Sequence, residues 1–303
     1  MSKIEVLKRN TLTGHRDCVY TLQPSAESSV FFSGSGDGMV VLWDLRNPEN
    51  GEVVAKLPNS VYALHYHQFS NTLIVGHNYD GIHVIDYQNK KEIGSLQLTK
   101  GSIFDIQSLG NWVWIATGDG EVIKVNLREL TIEAKVKYSE RSARCMTISA
   151  ERSEIAVGYS DNRIRILDLE TMALKQEWEA HTNSVFVVRY SPDGTLLVSG
   201  SRDARLKSWD SNGGYTLSTE VVAHLFAINH LDFSPDSKHF VTCSMDKSIK
   251  VWDAATFKLL KVIDRARHAG HGNSVNKLLW TPYNDQLLSA GDDRTISVWN
   301  IIF

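Results

Sequence analysis

Four sets of side chains in this sequence have the types and the order that catalysis would require. They are His15, Ser33, Asp37 and Trp43; His181, Ser199, Asp203 and Trp209; His224, Thr242, Asp246 and Trp252; and His271, Ser289, Asp293 and Trp299. The steps between members are 18, 4 and 6 residues in every set. A hydroxyl, an imidazole and a carboxylate are the parts of a nucleophilic hydrolase, in which the acid orients the base and the base activates the hydroxyl. Four copies on one chain argue against that use, and each copy also carries an indole N–H donor. A single reading accounts for all four: a buried hydrogen-bond chain from Asp to His to Ser or Thr to Trp. Each link contributes on the order of 1 kcal/mol net.

Other chemistry is not expected. The sequence has no phosphate-binding loop, nucleophile elbow, pair of catalytic carboxylates or zinc signature. Cys18, Cys145 and Cys243 are odd in number and far apart, which excludes a disulfide framework and a thiolate zinc site and fits a reducing compartment. His65-Tyr66-His67 alternates along a strand without acidic companions, and in the pair His268/His271 the second histidine already belongs to a tetrad, so no metal and no cofactor are expected. The chain of 303 residues carries 32 Lys+Arg against 35 Asp+Glu, a formal charge of −3. That balance lacks the basic excess of a nucleic-acid or membrane-surface binder. No secretory leader and no run long enough to cross a bilayer is present, which leads to the expectation of a soluble, cytoplasmic, monomeric protein.

The elements that hold these side chains repeat along the chain. Trp43-Asp44, Trp209-Asp210, Trp252-Asp253 and Trp299-Asn300 each end a short apolar run, and Ile85-Asp86, Val125-Asn126 and Leu167-Asp168 are weaker echoes between the first two. The seven positions are spaced by 42, 40, 42, 42, 43 and 47 residues, so residues 1–303 read as one domain of seven units. Within a unit the segments are short, β-branched and aromatic, as in Ser184–Tyr190 and Thr195–Ser199, with Pro-Asp-Gly turns between them. Pro24, Pro192, Pro235 and Pro282 each follow the first strand of a unit. Helical periodicity is absent, and four antiparallel strands bury both faces only by stacking against neighbours around an axis.

Gly14-His15 through Trp43-Asp44, and Gly270-His271 through Trp299-Asn300, resemble the Gly-His…Trp-Asp unit of the WD40-repeat β-propellers. The resemblance covers essentially the whole chain. It implies an all-β, seven-bladed propeller of four-stranded antiparallel blades, and it implies that the tetrads are structural. The last unit ends three strands long, so Ile4–Leu12 is expected to supply its fourth strand and close the ring, and deletion of residues 1–11 is expected to destabilise the fold. Units two to four lack the tetrad: Pro58-Asn59-Ser60, Lys100-Gly101-Ser102 and Glu140-Arg141-Ser142 stand where the histidine belongs, while Asp80, Asp119 and Asp161 are read as retained turn acids. Blades five, six, seven and one should then form a stiff arc and blades two to four a softer one.

Propellers present the start of each first strand at one mouth of the central channel. The residues after the first apolar position of those strands are read as Tyr20, Tyr62, Phe104, Met146, Phe186, Asn229 and Asn276. They either face the mouth as an apolar crescent or pack inward as core. Aromatic residues and Met are what binding hot spots use, and in WD40 proteins that read peptides aromatic residues here clamp a ligand side chain. Arg144 and Arg202 are expected beside the crescent. Asp264–His271, the longest insertion, should project from the same rim and offer Arg265, Arg267 and His268 to an acidic partner or to solvent. The expected function is a non-catalytic protein–protein interaction scaffold that binds a peptide or partner loop at this rim. The alternative is a small-ligand-binding or catalytic propeller, which would need convergent charged residues in the channel, and no such set is evident in the sequence.

Overall fold

In the computed structural model, which describes residues 4–303, alternating apolar and polar residues build 28 strands in seven antiparallel sheets of four. Met1, Ser2 and Lys3, the first residues of the N-terminal segment discussed above, lie outside the described residues. Blade 1 is formed by Val19–Pro24, Val30–Ser35, Met39–Asp44 and Glu52–Lys56, and each later unit repeats that order. The second and third strands of each blade are buried, whereas outer strands such as Lys91–Gln97 alternate between exposed and half-buried positions. Seven apolar clusters hold the ring together, each shared by two adjacent blades, and the cluster of Leu12, Val19, Phe31 and Trp43 with Leu288 and Val298 joins blade 7 to blade 1. Close approach between blades requires Gly34 and Gly200: a Cβ there would lie 2.7 Å from Val61 and 2.7 Å from Ile228 of the following blade.

The ring closes as the sequence predicts. Glu5–Leu12 pairs antiparallel with Ile296–Ile302, from Glu5 opposite Ile302 to Leu12 opposite Ile296, with an irregularity between Lys8 and Asn10. The insertion in blade 7 forms a short helix, Arg265–His268, capped by the Asp264 carboxylate, and that carboxylate also holds Arg267 at 2.6 Å. Arg267 therefore has a partner within its own loop.

Candidate functional site

Six of the seven first strands share a register shift after their first residue: Val19/Thr21, Ile103/Asp105, Ala143/Cys145, Val185/Val187, Ile228/His230 and Val275/Lys277. A bulge of this kind leaves the intervening residue outside the ladder and re-aims its side chain. Those residues are Tyr20, Phe104, Arg144, Phe186, Asn229 and Asn276, and Tyr62 has the same place in blade 2, where the Gly76 amide bonds to Ala63. All seven line a cavity of about 890 Å³ in the central channel.

Met146 does not hold that place. Its backbone pairs with Val157 and its side chain, 3% exposed, packs with Trp114, Ile155 and Tyr159 between blades 3 and 4. Arg144 stands where Met146 was expected. The difference has a physical cause: Ala143, fully buried, is too small to stand out as the first apolar residue of its strand, and Cys145 two residues further on masks it.

Around the mouth, the Tyr20 and Tyr62 rings meet edge to face at 4.8 Å and Tyr62 stacks on Phe104 at 5.9 Å. The Arg144 guanidinium lies between Phe104 and Phe186, 4.0 and 4.9 Å from their centroids. Such contacts stabilise a desolvated cation by about 0.5–2 kcal/mol each. Burial, with the charge of nearby Arg202, pulls the Arg144 pKa below the ordinary arginine value. Among the described residues no carboxylate forms an ion pair with Arg144. Arg202 itself is exposed on the blade 5 hairpin, outside the stack. Across the remaining arc, Asn229 donates to Ser274 Oγ at 3.0 Å and to the Val275 carbonyl at 2.8 Å, and Asn276 donates to Asp292 at 2.7 Å.

Deeper in the channel lies a charged set that sequence reasoning missed. The residues after the bulges are Thr21, Ala63, Asp105, Cys145, Val187, His230 and Lys277, and two residues further on stand Arg189 and Asp232. Asp105, Arg189, His230 and Lys277 all line the channel. Arg189 pairs with Asp232 at 2.9 Å, and the Trp280 amide donates to the same carboxylate at 2.8 Å. Burial raises the Asp105 pKa and lowers those of His230 and Lys277. The available signal was the break in the repeat, with Asp, His and Lys standing where the other blades have Thr, Ala, Cys and Val. A second missed feature is apolar: Leu225, Phe226 and Met245 of blade 6 are 83%, 60% and 52% exposed.

The four tetrads are hydrogen-bonded from end to end. Trp43 Nε1 donates to Ser33 Oγ at 2.8 Å, Ser33 donates to His15 Nε2 at 2.7 Å, and His15 Nδ1 donates to Asp37 at 3.2 Å. The equivalent links are 2.9, 2.8 and 3.0 Å through Trp209, Ser199, His181 and Asp203, and 2.9, 2.7 and 2.9 Å through Trp252, Thr242, His224 and Asp246. They are 2.9, 2.8 and 2.9 Å through Trp299, Ser289, His271 and Asp293. Because the hydroxyl is committed to both neighbours and lies deep in the blade, it has no free approach for a substrate. In blade 4 other contacts occupy the space: Trp114 Nε1 of blade 3 meets Met172 Sδ at 3.1 Å, and the buried Arg165 pairs with Asp161 at 2.8 Å. Asp80 is displaced by one residue from the turn-acid position, which Tyr79 occupies (Gly76 pairs with Ile82 as Gly34 does with Val40).

These buried histidines make the fold acid-sensitive. Burial holds His15, His181 and His224 below the ordinary histidine pKa and takes His65, with its Nε2 2.7 Å from Ser108 Oγ, from 6.5 down to about 4. The folded state then binds fewer protons than the unfolded chain, so this contribution is complete above pH 6.5 and is lost as pH falls toward the folded values. For His65 about 2 kcal/mol disappears between pH 7 and 5. His65→Gln should therefore flatten the dependence of melting temperature on pH over that interval, and parallel curves for variant and wild type would refute the assignment. His67 Nε2 lies 2.6 Å from the Gly110 carbonyl oxygen and its Nδ1 lies 2.7 Å from Ser70 Oγ, so His65 and His67 have separate partners.

The closed ring, with its bulged strands and buried tetrads, defines a seven-bladed β-propeller. The WD40 family profile, described as WD domain, G-beta repeat, matches residues 7–44, 172–210, 215–253 and 262–300, just over half of the chain and the parts that carry the four tetrads. The chain belongs to the WD40-repeat family. It is 25% identical to the WD repeat-containing protein 91 homolog of Dictyostelium discoideum over 65% of this chain and 27% of that one. It is also 24% identical to eukaryotic translation initiation factor 3 subunit I of Culex quinquefasciatus, over 69% of this chain and 56% of that one. With serine-threonine kinase receptor-associated protein of Gallus gallus it shares 28% identity, over 67% of this chain and 57% of that one. The matched region thus spans less than two thirds of each of these relatives. No helix among the described residues is long and apolar enough to cross a membrane.

Proposed function

We propose that this propeller is a non-catalytic protein-interaction module that receives a peptide or loop of a partner at the channel mouth. The names of two relatives, a subunit of an initiation factor and a receptor-associated protein, are those of proteins that work in company. The observation that carries the reading here is Arg144. It is stacked between Phe104 and Phe186 and lacks a carboxylate partner among the described residues. A planar guanidinium held on its faces keeps its N–H edge for a bidentate carboxylate, so the arc of Tyr20, Tyr62, Phe104, Arg144 and Phe186 suits an acidic side chain flanked by apolar ones.

The test is affinity capture with wild type and with the triple variant Tyr62→Ala/Phe104→Ala/Phe186→Ala, followed by titration with the captured partner's peptide. The triple variant should bind at least about 100-fold more weakly, since aromatic hot-spot residues each contribute about 2 kcal/mol or more. Its melting temperature should fall by no more than about 5 °C, because the three rings are only half-buried. Undiminished binding would refute the rim as the site, and a collapse in stability would return the rings to the core. Between 50 and 200 mM salt the affinity should change far less than the about 10³–10⁵-fold loss of a nucleic-acid complex.

The charged set in the channel favours a second reading, a small polar ligand bound between Asp105, His230 and Lys277. Lys277→Met would abolish binding in that case and leave peptide capture at the rim intact.

A further inference from the structure

Blade 2 departs from the repeat at three positions that converge on one point. Pairing of the second and third strands places His77 where Ser35, Ser201 and Ser244 stand in other blades, and His83 where they have Val41, Lys207 and Lys250. Asp80 falls one residue past the turn-acid position, where Gly38 and Ala204 stand in blades 1 and 5. The repeat serves as an internal control: the hairpin forms in the other blades without any of these three groups.

We propose that His77, Asp80 and His83 bind a zinc ion. Their ligand atoms already form a compact triangle. His77 Nδ1 and His83 Nε2 are 3.0 Å apart, and Asp80 Oδ2 lies 3.3 Å from the first and 3.6 Å from the second. Tetrahedral zinc with bonds of about 2.0–2.1 Å has edges between ligand atoms of about 3.3–3.4 Å, so the triangle matches one face of that tetrahedron. Two imidazoles and one carboxylate with an open fourth position are a zinc donor set. The three side chains are 12%, 39% and 18% exposed in chain order, which leaves the fourth position open to water.

The surrounding groups orient the ligands. Glu92, from the outer strand, accepts from His83 Nδ1 at 3.0 Å, which fixes the tautomer and directs the bare Nε2 at the site. His77 Nε2 lies 3.4 Å from the Asn59 side-chain amide. Without metal, His77 Nδ1–H donates to His83 Nε2. Zinc takes the place of that proton, which is relocated through solvent to Nε2 of the same ring, so no net proton is released. His77 is then protonated at Nε2 and donates to the oxygen of a rotated Asn59 amide. This site is independent of the rim reading, because none of its ligands belongs to the aromatic arc.

The experiment is calorimetric titration of the full chain, stripped of metal by chelator, with zinc chloride at pH 7.5, and in parallel with cobalt(II) read by its visible spectrum. The expected result is one zinc per chain, a zinc-dependent rise in melting temperature and the absorption bands of four-coordinate cobalt. Asp80→Asn and His83→Ala should weaken zinc binding at least about 100-fold, and Glu92→Gln by about 10–100-fold. If His83→Ala fails to fold, the near-isosteric Asp80→Asn and Glu92→Gln decide the question. Absence of zinc binding, or affinity unchanged in these variants because other histidines hold the ion, would overturn the proposal.

Discussion

A chain lacking residues 1–11 is expected to melt about 6–12 °C below the intact protein and to aggregate on heating. The lost strand does more than extend a sheet. Ile4 and Val6 pack on the cluster between blades 6 and 7, and Lys8 lies 5.5 Å over the Trp299 ring while its amine donates to the Ala269 carbonyl at 2.8 Å. Lys261 reaches back to the Ile4 carbonyl at 2.9 Å. Partial burial of the apolar side chains and the ladder bonds together contribute about 4–6 kcal/mol, roughly 1.5–2 °C for each kcal/mol in a protein of this size. Removal would also bare the edge of Ile296–Ile302, whose unpaired backbone groups are a template for association. Scanning calorimetry and light scattering check both effects. A melting temperature equal to that of the intact chain would show that closure by this strand is dispensable.

The second large effect should come from Asp246→Ala, at about 3–5 kcal/mol. Its carboxylate accepts from His224 Nδ1 at 2.9 Å, from the Leu225 and Ser248 amides at 3.0 Å each, and from Ser248 Oγ at 2.6 Å. Alanine leaves several buried donors unsatisfied at once, and such losses are larger than the net value of the bonds themselves. Burial opposes ionisation of Asp246, yet the imidazole and amide donors outweigh it and hold its pKa well below the usual carboxylate range. Asp119 is the control, since it is exposed and its side-chain partner is the Thr99 hydroxyl. Asp119→Ala should cost about 1 kcal/mol. Urea denaturation distinguishes the two, and equal losses would remove the distinction between a stiff and a soft arc.

The architecture was legible in the sequence because its signals are periodic. Trp-Asp endings and tetrad spacings recur, so errors in one unit are corrected by the next. The hub was less legible. A bulge shifts the side-chain register within a strand, and in blade 4 the small Ala143 concealed where the bulge falls, which exchanged Met146 for Arg144. Asp105, His230 and Lys277 meet only across the ring, so no single unit reveals them as a group. The displacement of Asp80 was hidden by a turn that keeps its length while moving its acid by one residue.

Pairing of Glu5–Leu12 with Ile296–Ile302 also has a temporal consequence. On the ribosome the first segment emerges about 290 residues before its partner, and at about 5–20 residues per second it waits on the order of 15–60 s. During that interval it must resist adhesion to nascent neighbours, and its polar Glu5, Lys8, Arg9 and Asn10 act as gatekeepers against it. Assembly of the ring therefore finishes only when Ile296–Ile302 is free, so a product stalled before that strand would leave a nearly complete wheel unlatched and open to quality-control proteases.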